Sequence, residues 1–234
     1  SRAFRPDSAE ELEKIFANKT VGYSYTRINN PTIESFERRM TKLEGGIGSV
    51  AASSGMAALH NALMNILRNG DHIVAAAGLY GGTVELLEEL QAYGIRTTYV
   101  KENSPAAFQE AILPETRAVF AETIGNPKLD VTDIRGVAEV AHKNGIPFLI
   151  DNTVATPYLV NPLKLGADVV IHSSSKYING SSDAISGILI SGGSFKWDKE
   201  KYPGMVPFLK YGPFAYLAKL RNGLFRSTGS CLAP

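Results

Sequence analysis

The chain has 234 residues, of which 44% are hydrophobic, 20% charged and 9% aromatic, an ordinary globular composition that excludes disorder, collagen-like repeats and coiled coil. Lys and Arg number 24 against 23 Asp and Glu, a formal net charge of +1, which gives no electrostatic ground for a nucleic acid or an anionic membrane as partner. One cysteine, Cys231, excludes an internal disulfide framework and a cysteine-rich zinc site, and with no signal-peptide pattern or membrane-length apolar run the expectation is a cytoplasmic enzyme.

Asp7 or Ser8 is placed to cap a short helix through Leu12, Ile15 and Phe16. Val21 to Asn30 reads as loop. Pro31 then opens a helix over Thr32 to Leu43, with Ile33, Phe36, Met40 and Leu43 on one face, and Gly45-Gly46 ends it. From Ser49 onward strands and helices alternate. Ser49 to Ser53 is short and built of small residues, and Met56 to Leu67 is helical. His72 to Ala77 is a strand, Gly82 to Tyr93 a helix and Ile95 to Val100 a strand. Pro105 to Leu113 is a helix, Arg117 to Glu122 a strand and Asp133 to Asn144 a helix. Pro147 to Asp151, Asp168 to His172 and Ile188 to Ser191 are apolar runs too short for helices. This alternation predicts an α/β fold, a mainly parallel sheet with helices on both faces and ligands beyond the carboxyl ends of the strands. Ser194 to Pro234 loses the rhythm and reads as an irregular segment packed on the domain, with one helix over Phe214 to Phe225.

Four clusters bear chemistry. Ser173-Ser174-Ser175-Lys176 follows the strand Asp168 to His172. A solvent-facing lysine is the ordinary reading of one lysine, but hydroxyls on its amino side suit an amine held beside a phosphate-bearing ligand, and such an amine becomes a nucleophile once its proton is lost. Asp151 closes an apolar strand, with Asn152 and Thr153 behind it; it is either a helix cap or an acid able to keep a pyridine nitrogen protonated. Ser53-Ser54-Gly55-Met56 enters a helix, where free N–H groups and the positive dipole end suit phosphate, or where a plain turn suffices. Tyr25-Thr26-Arg27 sets a phenol and a guanidinium two residues apart, a grip for one phosphate or surface decoration. Gly46 to Ala51 formally fits G-x-G-x-x-A, but it follows a helix instead of a strand, so it is rejected as a dinucleotide site. His60, His72, His142 and His172 lack metal-ligand spacing, and no metal is expected.

Together these clusters resemble the Cys/Met-metabolism family of pyridoxal-phosphate enzymes, which has the aspartate aminotransferase (type I) fold. Tyr25-Thr26-Arg27 with Asn30-Pro31-Thr32 is similar to that family's Y-x-R…N-P-T segment, and Ser54 to Ala58 to its phosphate turn. Leu79-Tyr80-Gly81 resembles its ring-stacking tyrosine. Glu122-Thr123 with Asn126-Pro127 resembles its E-T-x-x-N-P element, Asp151-Asn152-Thr153 its D-N-T element, and Ser173 to Tyr177 its S-x-T/S-K-Y signature. The resemblance runs in order along nearly the whole chain. It implies that the cofactor is pyridoxal 5'-phosphate, that Lys176 is the Schiff-base lysine, that Asp151 meets the pyridine nitrogen and that Tyr80 stacks on the ring. Ser54, Gly55, Met56, Ser173 and Ser175 would hold the phosphate with Thr153 nearby, and Asn126 would reach the phenolic oxygen and the substrate. Tyr25 and Arg27 would serve a neighbouring subunit, so residues 1–30 would be an arm, residues 31–234 the cofactor-binding domain, and the assembly a homodimer or homotetramer.

Gly192 to Trp197, Gly212 to Tyr216, Leu220-Arg221 and Gly229 to Pro234 resemble the O-acetylhomoserine sulfhydrylase branch of that family. The resemblance implies γ-replacement on O-acetyl-homoserine by sulfide, giving homocysteine and acetate. Gly82 stands where methionine γ-lyases usually carry cysteine, yet Gly180-Ser181 and Asp183 are closer to the lyase version of their loop. A C–S lyase is therefore the alternative, and a non-catalytic metabolite-binding domain a third reading. The family's carboxyl-terminal small domain, which holds the substrate carboxylate, is not in this sequence, so a fragment of a longer protein is expected.

Overall fold

The computed structural model describes residues 3–17 and 19–228; Asn18, Cys231 and the closing Gly229 to Pro234 segment lie outside the described residues. The amino-terminal part holds α1 (Ala9–Phe16), capped by Ser8, and α2 (Pro31–Glu44), whose Asn30 side chain accepts from Thr32 N–H and whose end is closed by Gly45 at φ 74°. A left-handed residue at that position favours glycine. Gly46 and Ile47 run straight into β1 (Gly48–Ala52). The G-x-G-x-x-A match is therefore strand and not a phosphate loop.

Next come α3 (Gly55–Met64), β2 (His72–Ala75), α4 (Gly81–Glu89), β3 (Arg96–Tyr99), α5 (Pro105–Ala111) and β4 (Thr116–Glu122). They are followed by α6 (Ile134–Lys143), β5 (Phe148–Asp151), α7 (Thr156–Leu159), β6 (Val169–His172) and β7 (Gly187–Ser191). The strands form one sheet in the order β1-β7-β6-β5-β4-β2-β3. β7 is antiparallel to both neighbours, whereas the pairings from β6 through β5, β4 and β2 to β3 are parallel. The mainly parallel αβα architecture expected from the alternation is present. Strands β2, β6 and β7 are buried at every residue, which is why they read as continuous apolar runs instead of alternating ones. The edge strand β3 is largely exposed and carries Arg96, Thr97, Thr98 and Tyr99.

The segment after β7 is irregular, as expected, and is held by aromatic packing. Trp197 lies edge-on to Phe195 at 4.7 Å and to Tyr202 at 5.1 Å, and stacks on Tyr216 at 5.8 Å. Tyr216 Oη donates to the Ala62 carbonyl in α3 at 2.9 Å. The single helix expected over Phe214 to Phe225 is instead two, α8 (Ala215–Asn222) and α9 (Leu224–Thr228). Gly223 divides them: its backbone leaves the helical region at φ −110°, ψ −105°, and a Cβ there would stand 2.9 Å from the Lys219 carbonyl oxygen. Arg221 ties α8 back to the body by donating to Glu37 of α2 at 2.6 Å and to the Ser49 carbonyl at 2.8 Å.

Candidate active site

A cavity of about 650 Å³ opens at the carboxyl ends of β4, β5 and β6, within the range of about 300–1,000 Å³ usual for small-molecule sites. It gathers Ser54, Gly55, Met56, Tyr80, Asn126, Asp151, Thr153, Ser173, Ser175 and Lys176 along its wall, so ten of the sequence-predicted positions meet in one place. A parallel sheet ends all its strands in the same direction, which is why residues far apart in sequence converge there.

One side is a cradle for an anion. Ser54 caps α3 by accepting from Ala57 N–H at 3.1 Å, and the first N–H groups of that helix precede any intrahelical bond. Gly55 is needed there: a Cβ would meet the Ser173 Cβ at 2.5 Å. Ser173 N–H donates to Thr153 Oγ1 at 2.8 Å, fixing one loop on the next. Ser175 Oγ donates to the Ser186 carbonyl at 3.0 Å and accepts from Ser186 N–H at 2.9 Å. Its hydroxyl proton is thus already committed within the protein.

The same cavity wall holds Asp151, whose Oδ1 accepts from Thr153 N–H at 2.8 Å. Burial pushes its carboxyl above the ordinary range, while the Thr153 hydrogen bonds pull it back. One Asp151 oxygen closes the turn after β5, but the next helix, α7, has Ala155 at its N-cap, so Asp151 does not cap a helix. Tyr80 begins α4 with its ring half exposed over the cavity. Lys176 is exposed on the turn after β6, its N–H donating to the Ser173 carbonyl at 3.1 Å.

Glu122 lines the same cavity and was assigned no role from sequence, although it closes an apolar strand as Asp151 does. The two are level in the β4–β5 register. Glu122 Oε1 accepts from Tyr80 N–H at 2.7 Å, and burial pushes its carboxyl up to about 7, with the Asp151 charge adding to the rise and N–H bonds from Tyr80 and Asn126 opposing it. Because the folded value lies above the unfolded 4.5, the associated stability is fully present below pH 4.5 and is lost as pH rises through 7. Glu122→Gln removes this titration, so wild type should lose about 3 kcal/mol relative to the variant across that window. Denaturant midpoints at several pH values measure it, and parallel pH curves for the two proteins would refute it.

Tyr25 and Arg27 do not line this cavity. Tyr25 pairs with Ala3 in an isolated bridge, and Arg27 Nη1 donates to the Arg226 carbonyl, with its guanidinium 5.7 Å from the Tyr25 ring. Among the described residues no group of three or more His, Cys, Asp and Glu is arranged to hold a metal, and no helix is long and apolar enough to cross a membrane.

The model of the family described as Cys/Met metabolism PLP-dependent enzyme matches residues 1–234. The chain belongs to that family. It is 46% identical over 249 residues to O-acetyl-L-homoserine sulfhydrylase of Corynebacterium glutamicum, covering 100% of this chain and 57% of the relative. It is 42% identical over 186 residues to L-methionine gamma-lyase of Porphyromonas gingivalis, covering 79% of this chain and 47% of that protein. The chain thus spans about half the length of these relatives. A crystal structure from Campylobacter jejuni that carries N'-pyridoxyl-lysine-5'-monophosphate superposes with a TM-score of 0.92 at 30% identity, over 100% of this chain and 61% of that one. Membership of this PLP-dependent family accounts for the site chemically. A helix-end cradle that a Cβ at Gly55 would fill, a partly buried acid in the same cavity, an aromatic ring and a lysine are the groups a phosphorylated pyridine aldehyde requires.

Proposed function

We propose that the protein carries out γ-replacement on O-acetyl-homoserine with sulfide, releasing homocysteine and acetate, with pyridoxal phosphate held in the cavity between β4, β5, β6 and α3. The observation that carries the cofactor assignment is the convergence of Gly55, Ser173, Asp151, Tyr80 and Lys176 on one cavity wall. When bound, pyridoxal phosphate supplies an electron sink for charge released at the substrate carbons. The N–H groups of Gly55 and Met56, with Ser54 and Ser173, grip the phosphate at the positive end of α3. Asp151 would hold the ring nitrogen, Asn126 would reach the phenolic oxygen and Tyr80 would cover the ring. Lys176 Nζ would anchor the aldehyde until the substrate's amine displaces it; as the freed amine it would then take the α-proton, shift a second proton at the β-carbon so that acetate leaves from Cγ, and return the protons after sulfide adds at that carbon.

The substrate assignment is supported by the likeness to the sulfhydrylase of Corynebacterium glutamicum. A C–S lyase is the second reading, favoured by the likeness to methionine gamma-lyase and by Asp183, whose carboxylate accepts from Asn179 and Ser181. Gly82 stands where methionine γ-lyases usually carry cysteine, which favours the transferase. Product analysis separates the two. Sulfide-dependent homocysteine and acetate are expected, whereas ammonia and a 2-oxo acid formed without sulfide would replace the first reading by the second.

Residues 1–30 form, on this reading, an arm whose Tyr25 and Arg27 complete the phosphate site of a neighbouring subunit in a homodimer or homotetramer. Their position outside the cavity of their own chain supports it. Arg27→Ala and Lys176→Ala proteins should each be inactive alone, and mixing them with subunit exchange should restore activity, because hybrid assemblies regain one intact site. Mixtures as inactive as their components would remove the arm from the site.

A further inference from the structure

Asp151 and Glu122 both lie on the cavity wall, and the proposed chemistry uses only the first. Glu122 ends β4 and is buried. Its Oε1 accepts at 2.7 Å from the N–H of Tyr80, the residue at which α4 begins. That helix has no side-chain cap of its own and no acid in its first turn. Glu122 reaches it from a separate strand and takes the part that a glutamate of the same helix plays in a capping box.

The surroundings tie this bond to the cofactor wall. Glu122 is level with Asp151 in the β4–β5 register, and the N–H of the next residue, Thr123, donates to the Asp151 carbonyl at 2.9 Å. The Glu122 backbone is thereby fixed to that of Asp151. The loop after β4 also lies against the chain leading to Tyr80: a Cβ on Gly125 would stand 2.8 Å from the Gly78 carbonyl oxygen. Further back, Asn103 accepts from Ala77 N–H at 2.9 Å and donates to the Ala77 carbonyl at 3.3 Å. Tyr80 itself is held at its N–H by Glu122. Half of its ring is exposed, so the ring's direction follows from where the backbone is placed and from its rotamer. Asp151 and Tyr80 have to address one and the same ring, and Glu122 is the side chain that joins them.

We propose that Glu122 is a positioning residue of the active site: with its backbone fixed to Asp151, it accepts from Tyr80 N–H and so sets the Tyr80 ring over the cofactor. The inference rests on the cofactor reading above. It assigns Glu122 no contact with the cofactor, so whatever it does for binding passes through the Tyr80 ring.

Glu122→Leu removes the acceptor, and the Kd for pyridoxal phosphate should rise about 5-fold, the worth of one well-placed ring stack. Tyr80→Ala should weaken binding at least as much. Adding Glu122→Leu to Tyr80→Ala should then change Kd by less than about 2-fold, because two residues that act through one ring are not additive. Glu122→Gln keeps an acceptor of the same length and should recover most of the lost affinity. The backbone N–H survives in Tyr80→Ala, so a helix cap with no positioning role would lower the melting temperature in both backgrounds. It would leave binding untouched, or weaken it equally with and without the ring, and either result would overturn the inference. Should Glu122→Leu fail to fold, Glu122→Asp withdraws the acceptor by one methylene and must show the same loss and the same dependence on Tyr80. In cofactor-free protein, the ring signal of Tyr80 in 13C-tyrosine spectra, assigned with Tyr80→Phe, should shift in the Glu122 variants. Wild-type protein that shows no bound-cofactor absorbance would overturn the cofactor reading instead. The ring signal would still decide whether Glu122 seats Tyr80, and an unmoved signal would overturn that.

Discussion

Lys176→Ala should fold and take up pyridoxal phosphate without covalent attachment, yet turn over at least about 1,000-fold more slowly. The lysine side chain is exposed on a turn, and exposed positions of this kind change stability by no more than about 0.5 kcal/mol, so the melting temperature should hold. The phosphate cradle at α3 does not include the lysine, so cofactor binding should weaken without disappearing. Borohydride reduction followed by peptide mapping should place a pyridoxyl adduct on Lys176 in wild type and on no residue in the variant. Activity equal to wild type in Lys176→Ala would end the mechanism proposed for this protein.

Gly187→Ala should damage the site from a residue that touches no substrate. Gly187 opens β7, level with Ala52 of β1, and a Cβ on it would stand 2.0 Å from the Ser54 carbonyl oxygen and 2.7 Å from Gly55 N. These are backbone atoms at the entry to α3, and backbone cannot rotate away as a flexible side chain does. β7 and the helix N-terminus must separate, at a cost of about 1–3 kcal/mol for overpacking. The same displacement moves the N–H groups that grip the phosphate, and a misplacement near 1 Å costs on the order of 100-fold at a site of this kind. Pyridoxal phosphate titrations should therefore show affinity at least about 10-fold weaker, together with a lower melting temperature. Unchanged affinity and stability would mean that β7 does not set the cradle.

Much of this protein was legible residue by residue. Ser54-Gly55-Met56 at a strand-to-helix turn reads as an anion site because a helix end exposes its N–H groups whatever surrounds it. Asp151 and Lys176 stand out because each follows a buried apolar strand, and the ends of such strands are where an α/β sheet presents its ligands. The irregular aromatic tail was legible in part for a similar reason: of its aromatics Phe195, Trp197 and Phe208 pack on the core, whereas Tyr211 and Phe214 stay exposed. The periodicity over Phe214 to Phe225 predicts one helix where there are two, because a glycine inside a periodic run interrupts it only when its backbone is driven out of the helical region, as Gly223 is.

The sequence by itself determined the element types, the family and most of the cavity wall, since propensity, capping and strand-end chemistry depend on near neighbours along the chain. Only the tertiary structure decided that β7 inserts antiparallel between β1 and β6, that Gly187 presses on the mouth of α3, and that Glu122 holds Tyr80. Glu44 meets His172 across 128 residues for the same reason. Such contacts are set by which faces pack together once the core has closed, and a buried charge betrays its partner only when the two are brought into one low-dielectric space.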